Sequence, residues 1–332
     1  MPREPGRYRV FLSPMAEGQA WFYERGWNFI LVEVLVDDRG EPLIERTIVA
    51  DSRRLKRERF RRSLGRALVL PFRTVTRNRS LIRSMVKRDI LGRFRGSFGG
   101  WFWTVLNPLL LMSTYFFVFG IVMKPKGDAD PAAFALYLIA GMLPWLAFSE
   151  AAGRAPVNML EHRQFIKKLR FPVETLPVNI MLAGFVSELF GLLIYFAGLL
   201  LARGHLPVTI LWLPVLLIPQ MLFTAGLCWF LAALGVFFRD LAQINGFLLT
   251  LWFFLTPICY SEAALAAIPD PAHAILVRNP MYVLVHGYRD LFIRGHAPAW
   301  GPLWKLYLLS ALVFLFGHAW FHKLKKSFAD II

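Results

Sequence analysis

The chain has 332 residues, a mean hydropathy of +0.48, 56% hydrophobic side chains and 15% aromatic ones. Soluble domains are less apolar than this, so the composition excludes an ordinary soluble enzyme and indicates an integral membrane protein. The formal charge of +16 is carried unevenly: residues 1–52 hold 6 Lys/Arg against 9 Asp/Glu, whereas residues 53–95 hold 16 against 2. A block that basic could bind nucleic acid. It runs straight into an apolar span, however, so anionic membrane lipids are the nearer partner and no nucleic acid is expected. The two cysteines, Cys228 and Cys259, both fall in apolar runs, which excludes a disulfide framework and gives no zinc-ligand spacing.

Three regions follow in chain order. Residues 1–52 form a small β-rich extension. FILVEVLV (29–36) and LIERTIV (43–49) flank the turn-forming DDRGEP, which predicts a hairpin. One hairpin does not hold itself together, so it needs the preceding RYRVFL run, the aromatics around Trp21 and Trp27, or a partner surface. With no apolar segment of the signal-peptide kind in the first 28 residues, this extension is expected in the cytosol.

Residues 53–100 read as basic amphipathic helices. The first, about 52–68, carries a narrow stripe of Leu55, Phe60, Leu64 and Leu68 among arginines, and Pro71 ends it. The second, about 78–95, leads into RDILGRFRGSFGGWFWTVLNPLL (88–110), where Arg88, Arg93 and Arg95 precede Trp101, Phe102 and Trp103. Basic residues followed by an aromatic belt mark the water–bilayer edge. Two readings stay open: an interfacial helix that handles an anionic group, or charges that only orient the first span.

Residues 101–332 form the transmembrane domain. Six apolar runs reach spanning length, at about 101–123, 134–151, 175–202, 208–237, 243–260 and 302–322. Prolines within or beside them (Pro108, Pro144, Pro177, Pro214, Pro219, Pro257) predict kinks, tolerated where neighbouring helices satisfy the freed carbonyls. Near the spans, 16 basic residues fall on one side and 7 on the other, the latter including Arg203, Arg289 and Arg294. The positive-inside rule then places both termini in the cytosol. The cytosolic 152–174 loop can form a short amphipathic helix over 157–169, a docking element for a soluble subunit or else a headgroup-bound loop. The external 261–301 connection breaks at Asn279-Pro280 into halves too short to span, giving a re-entrant hairpin or a small cap.

Within the spans, Glu188 is an intramembrane acid, which is costly unless paired or neutral; a hydrogen bond between helices is the favoured reading. His318 and His322 are four apart, yet a third ligand is not evident, so no metal is expected. No GxxxxGK[ST] phosphate loop, nucleophile elbow or HExxH is present, so an intrinsic enzyme is not expected. Aromatic residues concentrate in the first span (Tyr115, Phe119) and the fifth (Trp252, Phe253, Tyr260). They serve lipid contact and packing, or a conduit whose rings slide along the apolar faces of sugars.

Several segments together resemble the membrane subunits of polysaccharide ABC exporters, the Wzm/TagG-like permeases, with KpsM-type permeases more distant. These are KRDILGRFRGSFGGWFWTVLNPLL (87–110), GMLPWLAFSEAAGR (141–154), FIKKLRFPVETLPV (165–178), VSEL (186–189), GVFFRDLAQI (235–244), FFLTPICY (253–260) and RNPMY (278–282). They occur in the family's order over about residues 78–328. The resemblance implies an all-α bacterial inner-membrane protein of six transmembrane helices with an interfacial helix and an external re-entrant hairpin. It implies a homodimer bound to two copies of a separate ATPase, which would hold the ATP and magnesium; this chain would bind no cofactor. Glu161, Arg163, Phe165, Ile166, Lys167 and Lys168 would form the coupling helix seated in that ATPase. Arg88, Arg93 and Arg95 would meet the pyrophosphate of a lipid-linked glycan. Tyr115, Phe119, Trp252, Phe253 and Tyr260 would lie along the channel. The first 75 residues depart from the family pattern and are expected to dock the ATPase or a synthesis enzyme. Export of a smaller lipid or drug, and a non-transporting scaffold for glycan assembly, stay open as alternatives.

Overall fold

The computed structural model describes residues 5–12, 15–16, 20–21, 29–37, 41–50, 73–92, 102–122, 131–167, 171–259, 269, 273 and 276–331. The helix expected over 52–68 lies outside the described residues, as do Arg93, Arg95, Lys168 and Tyr260. The chain divides into two compact units, Met1–Leu70 and Pro71–Ile332.

The first unit contains β1 (Gly6–Leu12), β2 (Met15–Ala16), β3 (Ala20–Trp21), β4 (Phe29–Val36) and β5 (Pro42–Ala50). The expected hairpin β4–β5 gains its third strand from GRYRVFL, giving an antiparallel sheet in the order β1-β4-β5. Leu31 sits opposite Phe11 on one side and Ile48 on the other. A bulge shifts the register: Glu33 faces Arg46 while Val34 faces Ile44, which leaves Glu45 as the extra residue. Phe29 and Leu31 are buried before the bulge, and Val34 and Val36 after it. Arg7 Nη2 donates to the Glu45 carboxylate at 2.8 Å.

The second unit is all-helical. Its elements are α1 (Arg79–Gly92), α2 (Trp103–Tyr115, widening into a π turn over Phe116–Val122), α3 (Pro131–Glu161), α4 (Arg163–Ile166), α5 (Thr175–Arg203), α6 (Leu213–Phe237), α7 (Leu241–Leu255), α8 (Pro280–Arg289), α9 (Trp300–Leu324) and α10 (Phe328–Ile331). Four stretches are long and apolar enough to cross a bilayer: Ala132–Glu161, Thr175–Arg203, Val208–Phe237 and Trp300–Ser327. Leu109–Val118 and Leu241–Leu255 are shorter apolar helices; the first expected span is helical over Trp103–Val122, and the fifth, expected over 243–260, over Leu241–Leu255. The fifth stops for a local reason. Thr256 precedes Pro257, and its backbone is extended, at φ −101° and ψ 128°.

The second span is longer than expected. α3 continues past residue 151 through Glu161, so only α4 stands apart as a short helix, after a turn at His162. Pro156 does not end α3, because its loss of an N–H is answered from another helix. Asn245 Nδ2 of α7 donates to the Ala152 carbonyl at 2.9 Å, four residues before the proline. Pro219 in α6 is treated the same way: the hydroxyl of Tyr307, on α9, donates to the Val215 carbonyl at 2.8 Å.

Helices α6 and α9 cross at bare backbone. A Cβ on Gly317 would collide with the Gly226 carbonyl, and one on Gly226 with the backbone of Val313 and Phe314. Between apolar helices in lipid, such close approach supplies dispersion energy that the hydrophobic effect does not. Around it, Trp145, Phe148, Phe223, Trp252 and Phe253 form an aromatic core, with Phe148 and Trp252 edge-to-face at 5.1 Å. Gly317→Val should therefore force the pair apart at a cost of about 1–3 kcal/mol. A fall in the melting temperature of the detergent-solubilised subunit checks this; an unchanged melt would contradict the crossing.

Candidate functional site

α1 places Ile82, Met85 and Asp89 on one face and Arg83, Lys87 and Arg88 toward solvent. Its apolar face is buried on α5, where Asn179 Nδ2 donates to Met85 Sδ at 3.1 Å. Its polar end is fixed to α3. Both terminal nitrogens of Arg154 donate to the Asp89 carboxylate, at 2.7 and 2.9 Å. This bidentate pair closes one wall of a cavity of about 350 Å³ between α1, α3 and α5. Arg88, Asp89, Arg154, Asn158, His162 and Asn179 supply its polar lining. The Arg88 guanidinium also lies 5.3 Å from the centre of the Phe165 ring, within cation–π range.

Phe165 belongs to the segment that joins α3 to α5. Glu161, Arg163 and Lys167 are exposed there, while Phe165 and Ile166 are half-buried, with Phe165 packed on Phe171 at 5.0 Å. The segment thus has an apolar side that holds it and a charged side that faces outward. Its far end is fixed at Glu174, which receives the Lys325 ammonium and has His322 Nδ1 at 3.7 Å. Burial alone would raise the Glu174 carboxyl; the hydrogen bond and charge of Lys325 outweigh it and hold the group below the usual carboxylate range. The indole of Trp229 donates to the Glu174 carbonyl at 2.9 Å, so α6 and α9 meet at the start of α5.

A second polar cluster lies within the bundle. Glu188 of α5 accepts from the Tyr288 hydroxyl at 2.6 Å and from Gln220 Nε2 at 2.9 Å. It joins α5, α6 and α8 with no cation on the carboxylate among these bonds. Nearby, Arg289 is 2% exposed. Its guanidinium donates to the carbonyls of Pro257 and Ile258, both at 2.7 Å, and to Tyr137 at 3.2 Å, and stacks 3.6 Å over the Tyr137 ring. Gly141 makes the room: a Cβ there would lie 2.7 Å from Arg289 Nη2. Counting Arg289 as an external loop charge is thus corrected; it is spent on the carbonyls left where α7 ends. The same junction is tied by Asn279, which accepts from Trp252 Nε1 and donates to Thr256 Oγ1, each at 2.9 Å. Asn279 also caps α8 by accepting from the Met281 amide.

Of the aromatic residues singled out above, Tyr115 is half-buried and packs on Phe253 at 5.1 Å, and Phe253 is 5% exposed. Trp252 is half-buried with its indole committed to Asn279. Phe119 falls in the π turn, but its side chain lies outside the described residues. His318 is buried against Trp229 at 4.9 Å, and no group of three or more candidate metal ligands occurs among the described residues.

Asp89, Arg154, Asn158, Asn179, Gln220, Tyr288 and Arg289 were not singled out from sequence. The signal was present as amides and charges inside apolar runs, which hydrocarbon does not tolerate without partners. Arg289 in particular continues the buried face of Met281, Leu284, Val285 and Tyr288.

These features define a multi-pass helical membrane protein with four long apolar helices. The ABC-2 type transporter family profile matches residues 80–293, so the chain belongs to that family. It is 34% identical over 258 residues to an O-antigen export system permease protein RfbA of Myxococcus xanthus, covering 76% of this chain and 96% of the relative. Two such permease proteins of Klebsiella pneumoniae are 30% identical, each covering 76% of this chain and 95% of the relative.

The Asp89–Arg154 pair is testable by exchange. Asp89→Ala or Arg154→Ala should speed hydrogen exchange over residues 79–92 by about tenfold, from loss of a partly exposed, charge-assisted bidentate bond. The double variant Asp89→Arg with Arg154→Asp should restore much of the protection.

Proposed function

We propose that this chain is the membrane permease subunit of an ABC exporter that moves a lipid-linked polysaccharide of the O-antigen type across the inner membrane. The observation that carries the reading is similarity over 76% of this chain and 95–96% of three O-antigen export permease proteins, together with the family match. Two copies of the subunit form the passage, and two copies of a separate ATPase supply ATP hydrolysis with its magnesium. The permease itself does no chemistry. Six crossings per subunit are made by α2 with its π turn, α3, α5, α6, α7 and α9, with both termini cytosolic. α8 and the segment before it form the external re-entrant element.

The geometry supports a division of labour. The charged side of residues 161–168 meets the ATPase, as expected of a coupling helix. A push there reaches α3 directly, because Glu161 ends that helix. It reaches α5 through Phe165 and Phe171, and α9 through Glu174 and Lys325. α1 moves with α3 through Asp89 and Arg154. Arg88, Arg93 and Arg95 receive the diphosphate at the inner surface, as arginine is suited to paired hydrogen bonds with phosphate; Arg88 is exposed there. α2 and α7 flank the passage, with Tyr115 toward it, Phe253 packed behind Tyr115, and Trp252 holding α7 against α3 and α6. Aromatic faces suit a moving sugar chain because they offer contact area with no fixed hydrogen bonds to break.

Changing Arg88, Arg93 and Arg95 together to Gln should lower surface glycan at least tenfold while the subunit still inserts and copurifies with its ATPase. Quantitative surface labelling of the glycan reads the result. Normal surface glycan in that variant would refute the diphosphate role.

A further inference from the structure

The cavity between α1, α3 and α5 has a hydrogen-bonding inventory that a diphosphate does not satisfy. Asn158 and Asn179 are 1% and 5% exposed and line it. The Oδ1 atoms of both lack a hydrogen-bond partner among the described residues. The Asn179 amide nitrogen is already committed to Met85 Sδ. His162 Nδ1 lies 2.9 Å from the Asn158 carbonyl, which only accepts, so the proton sits on Nδ1 and Nε2 is left as an acceptor in the neutral ring. Asp89 and Arg154 neutralise each other. Among the described residues, what remains is Arg88 at the rim and acceptors further in.

The complement of that set is a molecule with one anionic end and several hydroxyl donors. A diphosphate alone would satisfy Arg88 and leave the amide oxygens orphaned, at about 1–3 kcal/mol each. An acyl or isoprenoid tail offers no donors. A sugar ring joined to a phosphate offers both, and about 350 Å³ is at the small end of ligand-pocket volumes, suited to one or two such rings. The geometry points to a saccharide subsite: the sugar unit next to the phosphate of the exported lipid enters this cavity, its hydroxyls donating to Asn158, Asn179 and His162 while Arg88 holds the phosphate. This rests on the glycan-export reading and adds to it a recognition step for the first sugar. A site built around hydroxyl donors rejects ligands that lack them, because its own acceptors are then left unpaired.

The test uses the full-length subunit copurified with its ATPase in phosphatidylcholine nanodiscs. The probes are a polyisoprenyl diphosphate and the same lipid bearing one glucose, galactose or N-acetylglucosamine. At least one sugar-bearing probe should bind tenfold or more tighter than the bare diphosphate. Asn158→Leu and Asn179→Leu should each remove that gain, read as the ratio of sugar-bearing to bare-diphosphate affinity within the same variant, because Asn179→Leu also loses the bond to Met85 on α1. Arg88→Gln should weaken all probes. The wild-type comparison decides without any variant: no gain from any of the three sugars overturns the subsite. So does a gain that survives both Asn variants, or one abolished by adding phosphatidylethanolamine, which would give the cavity to an ordinary lipid headgroup. If neither the bare nor the sugar-bearing lipid binds, it is the glycan-export reading that fails.

Discussion

Hydrocarbon gives the backbone nothing to bond to, so each interruption of a membrane helix has to be answered by a donor from elsewhere in the chain. This protein meets that constraint repeatedly. Asn245 answers the carbonyl freed by Pro156, and Tyr307 the one freed by Pro219. Arg289 answers the carbonyls where α7 stops, and Asn279 secures the same corner with its own amide. In every case donor and break belong to different helices. The polar residues therefore set which helices are neighbours, while apolar packing supplies the bulk of the contact area.

The consequence is a bundle with two kinds of parts. α3, α5, α6 and α9 are long, and they meet at bare backbone where Gly226 and Gly317 cross and where Gly235 abuts Pro156. α2 and α7 are short and largely exposed, and α7 is attached by directed bonds such as those of Asn245 and Trp252; α8 is short but buried along Met281, Leu284, Val285 and Tyr288. Elements held by few bonds can shift without unpacking the rest. In the proposed export cycle, the passage would use that freedom while the long helices would carry displacement from the ATPase side. Glu188 fits the same logic: with Gln220 and Tyr288 on it, the acid joins three helices.

Much of this was legible in the residues. The basic run before the first span, the third and fourth spans and the β4–β5 hairpin all follow from periodicity and turn chemistry. The limits of α3 were not, because the apolar run stops at about 151 whereas the helix continues to Glu161, across Pro156, with Asn245 some ninety residues later serving the freed carbonyl. Likewise Arg289 reads as a loop charge until Gly141 is seen to open space for its guanidinium. The cavity was hidden for a related reason: Asp89 and Arg154 are 65 residues apart, and their pairing exists only once α1 lies against α3. Local pattern determines elements, whereas partners of buried polar atoms are a property of the packed whole.

The account depends most on buried side chains holding broken backbone, and Arg289 is its plainest case. Hydrogen exchange at Thr256, Ile258 and Cys259 in the Arg289→Met variant measures it directly. Each charge-assisted bond to a carbonyl is worth about 1.5–3 kcal/mol. Exchange at those amides should therefore rise by tenfold or more, while Thr175–Arg203 keeps its protection. Unchanged exchange at the three amides would contradict the account.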